Sequence, residues 1–262
     1  ECSAMAKTIL GDTIDIHCGG QDLIFPHHEN EIAQSECATG KVFARYWMHN
    51  GYINVDNRKM SKSLGNFFTT RDVAAQYGYE PIRYIMIAAH YRSPINYSID
   101  VIEQAKASLD RLYTCRANVD FAVRNAVVEA TADDDKIIEK LSLRRHQFIE
   151  AMDDDLNTAD AIAAVFELAK DINIMSADIR AYSKTVFTYA LSLFDELTQV
   201  LGLLYNKKSD SLEDEVEALI EKRQQARKSK DFKTADEIRD KLKAMGIILE
   251  DTPHGVKWHK QD

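Results

Sequence analysis

Lys59-Met60-Ser61-Lys62-Ser63 sets two ammonium groups and two hydroxyls on a segment too polar for a core and too short for a helix face. Such a stretch can wrap the phosphates of ATP. A lysine is a mobile point charge that follows the negative charge developing on a leaving pyrophosphate, and a serine hydroxyl donates to a phosphate oxygen. Gly65 gives the loop freedom to open and close. Taken alone, a run of this kind is a solvated turn. It gains meaning from Cys2 and from Phe25-Pro26-His27-His28-Glu29-Asn30-Glu31 upstream. His27 and Glu31 lie four apart, so on a helix both side chains project from one face. With the Cys2 sulfur they make a mixed S, N, O donor set that zinc accepts. His28 points about 100° away round such a helix, which suits hydrogen bonding. Cys18 competes as the thiolate, or is a structural thiol. His49 and Asn50 line an adenosine pocket or sit in a surface turn.

The elements that must hold these groups follow from patterning. Residues 13–17 alternate as a strand and run into Cys18-Gly19-Gly20, where a turn or a close ligand approach is expected. Pro26 suits the first turn of a helix continuing to Ser35. Residues 51–56 alternate as a strand that feeds the lysine-serine loop. Thr69-Thr70 with Asp72 starts a helix that ends at Tyr77-Gly78, and Pro81 opens another to Ala89. From about Val101 the chain reads as almost wholly helical. Ile162, Val165, Phe166 and Ala169 keep helical spacing, as do Val186, Tyr189, Leu193, Leu197, Val200 and Leu204, and these stripes are bundle core. Residues 206–213 read as a polar linker. Two charged helices and a small hairpin, turning at Thr252-Pro253-His254-Gly255, close the chain.

The chain has 262 residues, with 45% hydrophobic and 29% charged, the composition of an ordinary soluble protein of more than one compact unit. No apolar run reaches the length of a membrane span. The four cysteines form no CxxC pair, which fits a reducing cytoplasmic setting. Net charge is -9, which excludes a general polyanion binder, yet charge is unevenly placed. Residues 129–171 hold twelve acidic and five basic side chains, and residues 221–243 hold nine basic and five acidic. One end, rather than the whole surface, is suited to a phosphate backbone; the alternative is an exposed helix laced with ion pairs.

Together these features resemble the cysteinyl-tRNA synthetases, class I aminoacyl-tRNA synthetases, over nearly the whole chain. The resemblance rests on Glu1-Cys2-Ser3-Ala4-Met5, residues 15–31, Trp47-Met48-His49-Asn50-Gly51 and residues 59–66. It continues through Met152-Asp153-Asp154-Asp155-Leu156-Asn157-Thr158, Ala235-Asp236-Glu237-Ile238-Arg239-Asp240 and residues 246–251. It implies a mixed α and β fold, mostly α. Residues 1–66 would be the latter part of a Rossmann-like catalytic domain, 67–105 a stem-contact region, 106–205 a helical tRNA-binding bundle and 206–262 a small α+β anticodon domain.

The resemblance assigns Cys2, His27 and Glu31 to a zinc ion that binds the substrate thiolate, with a fourth ligand from an earlier cysteine. A thiolate bonds zinc whereas the serine hydroxyl does not, a distinction that shape alone makes poorly. It matches Lys62 to the family's ATP-binding lysine; the residues' own chemistry adds Lys59 to catalysis and Ser61, Ser63 and His49 to ATP, with Mg2+. Arg227, Arg239 and Asp251 are assigned to the anticodon, since guanidinium forks and carboxylates read exposed base edges. The implied reaction joins cysteine to AMP and then to tRNA(Cys).

No His-x-Gly-His motif is present, although class I enzymes use one to hold ATP. The chain therefore reads as a C-terminal portion that needs the earlier part of the same enzyme as a partner and does not activate cysteine alone. The competing readings are a cysteine ligase of thiol-cofactor biosynthesis and a non-catalytic tRNA-binding module. The first lacks a C-terminal module like the one after residue 206.

Overall fold

A computed structural model describes residues 1–56, 58–60, 69–206, 210–229, 231–252 and 255–260. These divide into two compact units, residues 1–111 with 145–165, and residues 112–144 with 166–262. The chain is mixed but mostly helical, as the patterning indicated.

The first unit begins with α1 (Cys2–Leu10), β1 (Ile14–Gly20), α2 (Glu29–Thr39) and β2 (Ala44–Asn50). Strands β1 and β2 pair in parallel, from Ile14 opposite Ala44 to Gly20 opposite Asn50. Parallel neighbours need a crossover, and α2 supplies it. Its first turn carries Glu29 and Glu31, favourable at the positive end of the helix dipole, and Gly40 ends it in the left-handed conformation. Ile14, Phe43 and Ala44 are buried here, with Ala6, Ile32 and Trp47 packed against them.

The helix expected from Pro26 is present, and takes regular α geometry from Glu29. Phe25 is extended, with φ -135 and ψ 134, inside a wide turn at Ile24–His28. The cause is steric: proline's ring disfavours helical geometry in the residue before it, so Phe25 stays extended while Pro26 to His28 are helical.

Strands β3 (Ile53–Val55), β4 (Arg58–Lys59) and β5 (Ile95–Tyr97) form a second sheet in the order β4-β3-β5. β3 pairs antiparallel with β4 and parallel with β5. Strand β5 was not anticipated, because three residues are too short to show a period and owe their conformation to pairing with β3. At Gly51 an added Cβ would lie 2.4 Å from the Ser93 carbonyl oxygen, so only glycine lets this connector approach the loop before β5.

α3 (Thr70–Tyr77) opens with a capping box between Thr69 and Asp72. The Thr69 hydroxyl and backbone amide donate to the Asp72 carboxylate and hold its pKa below the usual range. α4 (Tyr79–Ile87) follows. Val73, Ile85, Ile102 and Ala105 join these helices to the start of α5 (Ile99–Asn125).

Beyond α5 lie α6 (Asp134–Asp153), α7 (Thr158–Ala177) and α8 (Lys184–Val200). Of the stripe read from the sequence, Val186, Leu193 and Leu197 are buried on α8, whereas Tyr189 is half-buried and Val200 is exposed; Phe187, Ala190 and Phe194 complete the buried face. Ser183 caps α8 by accepting from the Val186 amide and donates to the buried carboxylate of Asp134. Cys115 is wholly buried and its thiol donates to the Ala169 carbonyl. Burial pushes its pKa up to about 12, which makes it inert.

The chain closes with α9 (Asp210–Lys228), α10 (Phe232–Ala244), and an antiparallel hairpin of β6 (Ile247–Thr252) and β7 (Gly255–Lys260). Helix α9 starts inside the stretch read as a linker. Val216, Ile220, Leu242 and Ile247 form the core of this part. Among the described residues no helix is long and apolar enough to cross a membrane.

Candidate metal centre

Cys2, His27 and Glu31 converge. One ligand atom from each lies within 4.8 Å of the others. Cys2 is the first residue of α1, His27 lies in the wide turn Ile24–His28, and Glu31 sits in the first turn of α2. The thiol and imidazole are exposed while the carboxylate is buried. A carboxylate on a residue only 4% exposed needs compensating positive charge or hydrogen bonds. Part of that compensation comes from His17 on β1, whose Nε2–H donates to Glu31 Oε2 at 2.7 Å, with His27 Nε2 at 3.8 Å from the same oxygen. The donor set of thiolate, imidazole and carboxylate fits zinc.

The sequence offered no reason to single out His17. Its ring is held edge-on by Trp47 at 4.8 Å and tilted against Phe43 at 5.3 Å, so its direction is fixed by aromatic packing from β2. A metal-ligating carboxylate is commonly oriented by such an outer partner. The available signal was position alone: a βα unit brings the end of its strand beside the start of its helix. His17, His28 and Glu31 likewise bring ligand atoms within 4.8 Å, so Glu31 is shared between two overlapping triads.

His28 is buried beside His17, its Nδ1 sharing a hydrogen bond with His49 Nε2 at 2.8 Å. Burial, followed by the charges of His17 and His49, holds its pKa below the ordinary histidine value. Gly19 makes the space: a Cβ there would fall 2.7 Å from His28 Cε1. His49 stacks on Trp47 with an interplanar angle of 10°. The thiol of Cys18, the competing thiolate, is exposed and in neither triad.

The other expected site residues are scattered. Ser61, Lys62 and Ser63 lie outside the described residues, and Lys59 is described only as the end of β4. Arg227 is exposed near the end of α9. Arg239 is exposed on α10, where its guanidinium pairs with Asp236 at 3.1 Å and Asp240 at 3.4 Å. Asp251 lies on β6 opposite Val256.

Residues 1–107 match the family described as tRNA synthetases class I (C) catalytic domain. Residues 147–205 match the DALR domain, and residues 209–258 the cysteinyl-tRNA ligase anticodon binding domain. A cysteine–tRNA ligase of Caldicellulosiruptor saccharolyticus is 52% identical over 259 residues, 98% of this chain and 55% of that protein. One from Clostridioides difficile is 51% identical over 262 residues, 99% of this chain and 56% of that protein. The chain belongs to the cysteinyl-tRNA synthetase family.

As a member of the cysteinyl-tRNA synthetase family it spans about half the length of these curated relatives. The metal triad, His17 and His49 all fall within the stretch matched to the catalytic domain. The fold also resembles that of a solved Agrobacterium radiobacter LeuRS–tRNA–LeuAMS ternary complex. The TM-score is 0.58 at 22% identity, covering 70% of this chain and 25% of that one.

Proposed function

We propose that this chain is the part of a cysteine–tRNA ligase that selects the amino acid and grips the tRNA. The observation that carries the reading is the convergence of the Cys2, His27 and Glu31 ligand atoms within 4.8 Å. Zinc held there supplies a Lewis acid for which a thiolate is a far better ligand than a hydroxyl. Cys2 and His27 contribute exposed ligand atoms that face incoming amino acid. Buried Glu31, held by His17, fixes the third direction. Lys59, Ser61, Lys62 and Ser63 hold ATP phosphates with Mg2+, and His49 borders the adenosine. Arg227, Arg239 and Asp251 contact the anticodon of tRNA(Cys), which requires Arg239 to exchange its helix partners for base edges. The domain division proposed is 1–66, 67–105, 106–205 and 206–262, and the compartment is the cytoplasm.

The partner is the remaining half of the enzyme. Parallel sheets are normally covered on both faces, yet Ile16 and Tyr46 on β1 and β2 are 56% and 69% exposed. Met5, Ile9 and Leu10 on α1 are exposed beside them in sequence. A surface this apolar calls for a covering polypeptide. The thiol-cofactor ligase is disfavoured by the match of residues 209–258 to an anticodon domain.

Cobalt substitution tests the metal reading on this chain alone. Cysteine is expected to intensify the sulfur-to-cobalt charge-transfer absorption, and serine at equal concentration to leave it unchanged. An identical response to both amino acids would reject thiolate selection. For the whole reaction, this chain alone should show no cysteine-dependent ATP–pyrophosphate exchange. Exchange and charging of tRNA(Cys) should appear when a polypeptide matching the earlier half of the relatives is supplied. Full exchange without it would refute the division of labour.

A further inference from the structure

We infer that Asp155 is a positioning residue, which latches the turn between α6 and α7 onto the loop of residues 88–94 and through it braces the ligand-binding edge of the first sheet. The inference rests on the cysteine-ligase reading only for which reaction feels the brace. Asp155 and Leu156 both adopt left-handed backbone, at φ 56 and φ 55, although neither is glycine. Two successive strained residues persist only where the surroundings hold them.

What holds Asp155 is a set of charged and aromatic partners. Its Oδ1 accepts from the Tyr91 hydroxyl at 2.9 Å, and its Oδ2 pairs with the Arg92 guanidinium at 2.7 Å. His90 Nε2 lies 3.7 Å from the same Oδ2. Arg92 also donates from Nε to the Tyr91 hydroxyl at 3.1 Å and lies over the Tyr91 ring at 5.6 Å. The left-handed turn aims one carboxylate at three consecutive loop side chains.

The backbone of the same loop faces the sheet. The Tyr91 carbonyl accepts from the Gly51 amide at 2.8 Å, one residue past the end of β2. The Arg92 carbonyl accepts from the Gln21 side chain at 3.0 Å, one residue past the end of β1. The Ser93 carbonyl fills the space that a side chain at Gly51 would need. Ile95 then donates to the Tyr52 carbonyl at 2.8 Å. The loop thus touches the carboxyl ends of both parallel strands, which is the edge where open α/β sheets bind their ligands. His49, two residues before Gly51, and Gly19, two before Gln21, are the positions that hold His28.

An exposed ion pair contributes little to global stability, so the latch acts on position and not on folding. In the complete enzyme carrying this chain, Asp155→Ala is expected to raise the KM for ATP in cysteine-dependent pyrophosphate exchange about tenfold or more, as small misplacements near a reacting centre do. Zinc content and Tm should stay at wild-type values. Arg92→Ala should give the same phenotype without adding to it in the double variant, and Asp155→Glu should recover part of the loss. Hydrogen exchange gives a second readout that needs no activity: the Gly51 and Ile95 amides should exchange faster in Asp155→Ala. Unchanged exchange at those amides, additive kinetic effects, or a fall in Tm that accounts for the loss would overturn the latch. A wild-type enzyme without cysteine-dependent exchange would sink the ligase reading instead, leaving the latch to be judged on the amides.

Discussion

Replacing Glu31 by alanine will lower the affinity of this chain for zinc by more than about 100-fold, beyond the range seen when only an outer partner of a ligand is lost. The carboxylate is the buried member of the triad, so its removal deletes a ligand and opens the floor of the site. It also strands the His17 Nε2–H, now 2.7 Å from an oxygen, in a half-buried aromatic cage. A donor left without its acceptor costs about 1–3 kcal/mol. His17→Ala separates the two effects: it keeps all three ligands and should weaken zinc by roughly 10- to 100-fold. Competition against a chelator, followed by metal analysis, reads both variants. Zinc retained at wild-type affinity in Glu31→Ala would show that this carboxylate is not a ligand.

Phe194→Ala is expected to destabilise the second unit by about 3–5 kcal/mol, the usual range for removing a buried aromatic ring. Phe194 is fully buried on α8, at the centre of a stripe with Ala190, Leu193 and Leu197. Its chain neighbour provides the contrast. Asp195 receives both Arg116 Nε and Nη2, at 2.8 and 3.0 Å, a geometry that looks strong. Yet the Asp195 side chain is 36% exposed, so water competes for both charges and Asp195→Ala should cost about 1 kcal/mol or less. Urea unfolding followed by far-UV circular dichroism measures the two side by side. Equal losses would mean that the stripe is not the core that orders this helix.

The sequence by itself determined most of the helices, the pairing of His27 with Glu31 on one face, and the family. Apolar spacing on α8, the Thr69 and Asp72 capping signals and the His27 to Glu31 spacing each depend on neighbours within a few residues, where one chain segment dictates its own geometry. Cys2 was joined to that pair by donor type and by the resemblance, and only tertiary structure brings its ligand atom near theirs. Helical backbone does follow from Pro26, but as a wide turn before regular α2 starts at Glu29, and that width was not legible in the spacing.

Tertiary structure alone decided the rest. Strand β5 exists because β3 offers it partners, and His17 matters because α2 folds back beside β1 and sets Glu31 on its Nε2. Gly51 became informative only when the Ser93 carbonyl was seen in the space its missing side chain leaves, and the close approach expected at Gly19 proved to be that of the His28 ring. Asp155 looked like one carboxylate in an acidic run until its turn brought it to Tyr91 and Arg92. Periodicity reports which face of an element meets the interior, but it carries no record of which element waits on the other side.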